Sequence, residues 1–314
     1  MRALIAFRFE RAPRALPPLK EVLHGRRVDR ADPTWRQLSV VHCVPLALEA
    51  DDGALGRTAR ELMRQHEREI ARRLALRSRA DRSAFAAVRE TVERAAGPVG
   101  ALALFQLVEA GRLFGRVLDE LSLAPPELTG ELVQQLATPA SISASGRSER
   151  GAATVAMQLA LREPAEYVRL VSGLASPAGE VLTRGNRWLC RTPGTPQRSL
   201  ALRLLLPALL AALELEGEVT SHELAALQAM LFGRPSLEGG SEQLTDGLRV
   251  ALAAGKTVAV ELVWGTQGLC VALAVSSVVV SGTRLFTLWD AAGRITQLPE
   301  HELELRLVGY AAAA

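Results

Sequence analysis

Lysine is almost missing from this chain: Lys20 and Lys256 are the only two among 37 basic residues, and arginine supplies the rest. Thirty-four acidic residues leave a net charge of +3 over 314 residues. A pI near 9.0 therefore reflects arginine content rather than a strongly basic protein. Abundant Ala, Leu and Arg with little Lys is what a GC-rich genome encodes, so the arginines read first as solvated faces and only second as a phosphate-binding surface. Aromatics are also scarce, at 4% of the chain. Cysteine is scarcer still: Cys43, Cys190 and Cys270 lie far apart, are odd in number and have apolar neighbours. That excludes a disulfide framework and paired metal spacing, and predicts three buried free thiols in a reducing compartment. No apolar run is long enough to span a bilayer, because Arg203 and Pro207 interrupt residues 200–213. Residues 1–10 alternate charge with apolar side chains and lack a signal-peptide core. The expectation is a cytoplasmic protein with no membrane partner.

A hydrophobic fraction of 48% against 23% charged residues is that of a folded chain. Two strand-like runs, 3–9 and 38–48, stand in a first segment of residues 1–50. Helical periodicity then predicts helices over 55–76, 83–96, 99–123 and 127–136, giving a helical region over 51–137. Its stripe of Arg60, Arg64, Arg72, Arg73, Arg77 and Arg79 favours a solvated face with i,i+4 pairs over a nucleic-acid groove. A Ser-rich stretch at 138–150 marks a boundary. Beyond it come helices over 152–161 and 164–174, and a hairpin turning at Gly185-Asn186. Further helices are expected over 200–213, 221–231 and 241–254. Strands follow over 257–264, 270–280, 285–289 and 294–296. Helices followed by a run of strands predict an α+β domain over 138–314.

Two blocks carry a resemblance. One is the helix opening at Gly151-Ala152-Ala153-Thr154 and continued by Glu163-Pro164-Ala165-Glu166-Tyr167. The other runs through Gly255-Lys256-Thr257, Gly268-Leu269-Cys270-Val271 and Leu288-Trp289-Asp290-Ala291-Ala292-Gly293. Together they resemble the papain-like cysteine peptidases, in particular the bacteriocin-processing bacterial branch, over about residues 138–310. The resemblance implies a cysteine at a helix N-terminus, where unpaired backbone N–H groups and an imidazolium stabilise the thiolate. It implies a histidine on a strand and an Asp or Asn holding its ring. In this chain the cysteine position falls at Gly151, Ala152 or Ala153 and the histidine position at Leu269. Only the third position is filled, by Asp290. No oxyanion-hole glutamine is identifiable among residues 143–148.

The resemblance thus implies a pseudoenzyme that binds a protein or peptide and works without a cofactor or metal. Trp264, Gln267, Cys270, Trp289 and Asp290 are its candidate cleft residues. An alternative keeps catalysis, as a peptidase or acyltransferase using Cys270 or Cys190 with a histidine such as His222. A third reading takes the Arg-rich helices as a surface for nucleic acid or an acidic partner. His222 reads as part of a helix cap and His301, between Glu300 and Glu302, as solvent-facing. His24 and His42 show no ligand spacing, and Ala254-Gly255-Lys256-Thr257 has only the tail of a phosphate loop.

Overall fold

The computed structural model describes residues 54–144, 146–193, 199–215, 217–239, 244–264 and 269–313. Residues 1–53, with the predicted strands at 3–9 and 38–48, Cys43, His24 and His42, lie outside the described residues, as does Gln267. The chain divides into two compact units, Met1–Pro139 and Ala140–Ala314.

Over its described residues the first unit is helical: α1 (Ala54–Ala75), α2 (Arg79–Glu109), α3 (Gly115–Leu123) and α4 (Pro126–Ala137). The two helices predicted over 83–96 and 99–123 are divided differently. Residues on both sides of Gly97-Pro98 belong to α2, which kinks where Gly97 takes φ 64° and Pro98 removes a donor. The chain then turns at Gly111 before α3 begins. Phe85 and Phe105 stack at 5.9 Å between ring centroids inside α2's buried face, and Arg89 lies 4.9 Å above the Phe105 ring. Burial pushes the Arg112 guanidinium down to about 10, and it donates to the carbonyl of Leu136 in the last turn of α4. On α1, hydrogen bonds from Arg72 and Arg73 hold the Glu69 carboxyl down at about 2.

The second unit is α+β, as predicted. It begins with α5 (Arg150–Arg162), α6 (Pro164–Ala175) and the hairpin β1 (Glu180–Leu182) and β2 (Trp188–Cys190). Next come α7 (Leu200–Ala212), α8 (Ser221–Phe232), β3 (Ser236–Gly239) and α9 (Leu244–Ala253). The chain closes with β4 (Val258–Val263), β5 (Leu269–Val280), β6 (Thr283–Asp290), β7 (Ile295–Pro299), α10 (Glu300–Arg306) and β8 (Leu307–Ala313). An antiparallel sheet of six strands runs β3-β8-β4-β5-β6-β7.

The sheet has helices on both faces. On one face Val258, Val260, Leu262, Ala272, Ala274, Phe286 and Leu288 form a core with Leu248 and Leu252 of α9 and Leu303 of α10. On the other, α5 and α8 pack against β4, β5 and β8. Every residue of α5 from Gly151 to Ala160 is buried, which marks a central helix rather than an amphipathic surface one. Residues 142–144, expected to be a polar boundary loop, pack onto this unit: Ile142 is buried, and the Ala144 N–H donates to the Ala291 carbonyl at 2.7 Å. Among the described residues no helix is long and apolar enough to cross a membrane.

Two sequence expectations need correction here. Cys190 is exposed and Cys270 half-buried, both as free thiols. Strand alternation is the reason for Cys190: β2 buries Leu189 and turns Trp188 and Cys190 outward. Trp264 and Trp289, both candidates for the same cleft, are separated by β5 in the sheet order and lie on opposite faces. Trp264 packs beside the α9/α10 core with Arg306 4.9 Å above its ring. Trp289 follows Leu288 of that same core, so alternation turns it to the α5 side, where it is buried.

Candidate functional site

The N-terminus of α5, the loop before α8 and the start of β5 meet at one recess of the second unit. Its lining includes Arg150 and Gly151 of α5, Val219 and Thr220 ahead of α8, Glu261 of β4, and Leu269 and Cys270 of β5. Gly151 and Leu269, fixed independently by helix start and strand register, thus share one site.

The volume left is about 30 Å³, room for no more than a few waters. Val219 explains why it is so small. A Cβ built on Gly151 would fall 2.4 Å from the Val219 Cβ and 2.7 and 2.8 Å from its two methyls. Glycine is required at this close approach, and the valine occupies the space where a side chain at the helix start would stand. Ala152 and Ala153 are fully buried beside it.

Several polar groups around the recess pair with one another, whereas Arg150 Nε is buried without a hydrogen-bond partner. Glu261, only 6% exposed, is the one charge in the apolar strand Val-Ala-Val-Glu-Leu-Val. Its Oε2 accepts from the Ser221 N–H at 3.0 Å, in the first turn of α8. A carboxylate there meets an orphan backbone donor and the positive end of the helix dipole. Thr220 and Glu223 complete the same helix end as a reciprocal capping box. Arg147 and Glu218 pair at 3.5 Å on the rim. Glu261→Gln keeps an acceptor but removes the charge, and is expected to lower stability by about 1 kcal/mol; an unshifted urea midpoint would contradict this role.

Strand register sorts the remaining candidates. β4 and β5 pair Val263 with Leu269, Leu262 with Cys270 and Glu261 with Val271. Leu269 and Val271 therefore share the face of Glu261, towards α5, while Cys270 sits on the face of Leu262 and the opposite core. Cys270 borders the recess but belongs to the other side of the sheet. Asp290 pairs with Ala272, another member of that opposite core, so it too lies away from Leu269. Its carboxylate closes its own turn: Oδ1 accepts from the N–H groups of Ala292 at 3.0 Å and Arg294 at 2.8 Å, and Oδ2 accepts from Arg294 Nε at 2.6 Å. These are the bonds of an Asx-type turn.

Among the described residues no histidine lines the recess. His222 is exposed in the first turn of α8, and His301 is exposed on α10. Among the described residues no group of three His, Cys, Asp or Glu is placed to hold a metal ion. Neither Val219 nor Glu261 was legible as a site residue in the sequence. For Glu261 a signal existed, a lone carboxylate inside an otherwise apolar strand, which demands a buried partner; Val219 carries none.

Comparison of the chain with family models, with curated proteins and with solved structures returned no match.

Proposed function

We propose that the second unit is a degenerate papain-like module that carries out no thiol chemistry and serves to bind a protein or peptide partner. One observation supports this above the rest. Gly151, the first of the three positions (Gly151, Ala152, Ala153) to which the resemblance assigns the nucleophile, and Leu269, its imidazole position, border the same recess, one at a central helix start and one at a strand start. The side chains there can neither attack a carbonyl nor move a proton. Val219 takes up the space a thiol would need, and about 30 Å³ is far below the roughly 300 Å³ of a small-ligand pocket. Binding accordingly belongs to the surface around the recess, where Val263 and Leu269 are paired neighbours and both exposed.

The enzymatic alternative places Cys270 at the recess but finds no imidazole among the lining residues. The nucleic-acid alternative loses part of its charge, since Arg72 and Arg73 are both paired to Glu69.

The test compares thiol reactivity in two proteins. In the wild-type chain Cys270 should react with a thiol-directed electrophile no faster than exposed Cys190, and Cys270→Ser should remove no selective labelling. In the triple variant Gly151→Cys, Val219→Gly, Leu269→His, the introduced thiol should alkylate at pH 6 about tenfold faster than Cys190, because helix start and imidazole stabilise its thiolate. A wild-type activity that disappears with Cys270→Ser would overturn the non-catalytic reading. An introduced thiol as slow as Cys190 in a folded variant would overturn the papain-like one.

A further inference from the structure

β5 is the longest strand of the sheet, and its two halves have different neighbours. Residues 269–274 pair with β4 on one side and, from 272, with β6 on the other. Residues 276–280 pair with β6 alone, and among the described residues no strand covers their second edge. A bulge between Ala274 and Ser276 divides the two halves. The outer half ends in a two-residue turn, Ser281-Gly282, with φ 50° and 82° at its two centres. Two positive φ values make this the I′ type.

That turn determines which backbone groups are free. In a two-residue hairpin the flanking pair, Val280 with Thr283, exchanges both main-chain hydrogen bonds, and bonded pairs then alternate along the ladder. Val280, Val278 and Ser276 therefore direct their N–H and C=O groups to β6. Ser277 and Val279 direct theirs outward, to the edge that no described strand covers. Side chains leave this edge open to approach: Val278 is 47% and Val279 55% exposed. Exposed edges are ordinarily guarded by a charge or a proline. Here no charged residue and no proline occurs from Leu269 to Thr283, and Arg284 is the first charge beyond the turn.

We propose that this edge pairs with the same edge of a second copy of the chain, antiparallel about a twofold axis at Val278. The register follows from the outward groups. Ser277 of one copy meets Val279 of the other, and the reverse, forming four main-chain hydrogen bonds, while the two Val278 side chains meet at the axis as the close, non-bonded pair. Outward groups spaced symmetrically about one residue make the edge self-complementary, and the charge that reaches it, Arg284, whose Nη1 donates to Ser277 Oγ at 3.4 Å, is also paired with Glu300 at 3.7 Å. The resulting sheet is continuous across both molecules, the β-augmentation mode with the chain as its own partner. This pairing does not depend on the papain-like reading. So short a contact buries less than a standard stable interface, so association is expected to be reversible and concentration-dependent.

Sedimentation equilibrium of the full chain from about 1 µM to roughly 300 µM covers the range expected for so small an interface. The average mass should climb from 33.7 kDa towards twice that value. Val279→Pro removes an outward N–H that the β6 ladder does not use, so the hairpin is kept. It should weaken association about tenfold or more, the worth of one to two edge hydrogen bonds. Val278→Lys sets two ammonium groups against each other at the axis and should weaken it as much, with partial recovery in high salt. Val278→Thr should dimerise as wild type, and melting curves verify that each variant folds. A wild-type chain that stays at monomer mass throughout, as it would if the edge served only a foreign peptide, overturns the proposal. So does a dimer that survives both Val279→Pro and Val278→Lys unchanged.

Discussion

Gly151→Ala is expected to destabilise the second unit by about 2–3 kcal/mol, the cost of forcing one methyl into a packed site. The added Cβ would meet the Val219 Cβ at 2.4 Å, well inside van der Waals contact. Neither partner has room to yield. Val219 is buried, and Gly151 lies on a helix whose next nine residues are buried against the sheet and its neighbours. For a unit of this size the melting temperature should fall roughly 5–10 °C. The control is the double variant with Val219→Gly, which removes the Val219 Cβ as well as both methyls. Val219→Gly alone should cost about 2–3 kcal/mol as a cavity and a loosened backbone. The two changes together should cost about 2 kcal/mol less than the sum of the single effects. Simple additivity would mean that Val219 does not occupy the place of the missing side chain.

The second large effect concerns two buried amides. Gln228 Nε2 donates to Gln158 Oε1 at 2.8 Å and to the Ala311 carbonyl at 3.0 Å, and its Oε1 accepts from the Ser236 hydroxyl. Gln158 Nε2 donates onward to the Thr257 carbonyl at 2.7 Å. Both side chains are essentially inaccessible to water, so none of these groups has solvent as an alternative. The network ties α5 and α8 to β8, to β3 and to the residue before β4, which orders both helices on one side of the sheet. Gln228→Leu orphans Gln158 Oε1 and leaves the Ser236 hydroxyl only the Ala312 carbonyl as acceptor, and should cost about 2–4 kcal/mol in chemical denaturation. Adding Gln158→Leu should cost little more, because two facing leucines leave no unpaired amide between them. A full second penalty from the double variant would show that the glutamines act separately.

Much of this architecture was legible because local rules and burial agree. Helical spacing in residues 54–75 and 126–137 and the Asn186 turn need no distant partner to be read, and neither does the valine-rich stretch that becomes β5. β8 was missed, although it lies inside the sheet between β3 and β4. Its Gly309, Ala311 and Ala312 have low strand propensity, and it forms a strand because both neighbours supply ladder partners. Gly309 also accommodates α8: a Cβ there would fall 2.7 Å from Ser221 Oγ. The reading of Trp264 and Trp289 as one cleft failed on a matter of parity, since adjacent residues of a strand face opposite ways and the strand order was unknown.

The sequence by itself determined that the chain is α+β and that Gly151, Ala152, Ala153 and Leu269, the positions the resemblance would give to nucleophile and imidazole, carry side chains that cannot transfer a proton, because residue identity alone decides that. Only the tertiary structure decided that Gly151 and Leu269 border one recess, that Val219 fills it, and that Asp290 is spent on its own turn. Those facts depend on which face of a strand a side chain takes and on which distant segment packs over a helix end. Neither quantity is carried by residues near each other in sequence: the first needs the ladder register, and the second needs the packing of Val219 across Gly151, 68 positions earlier by their numbering.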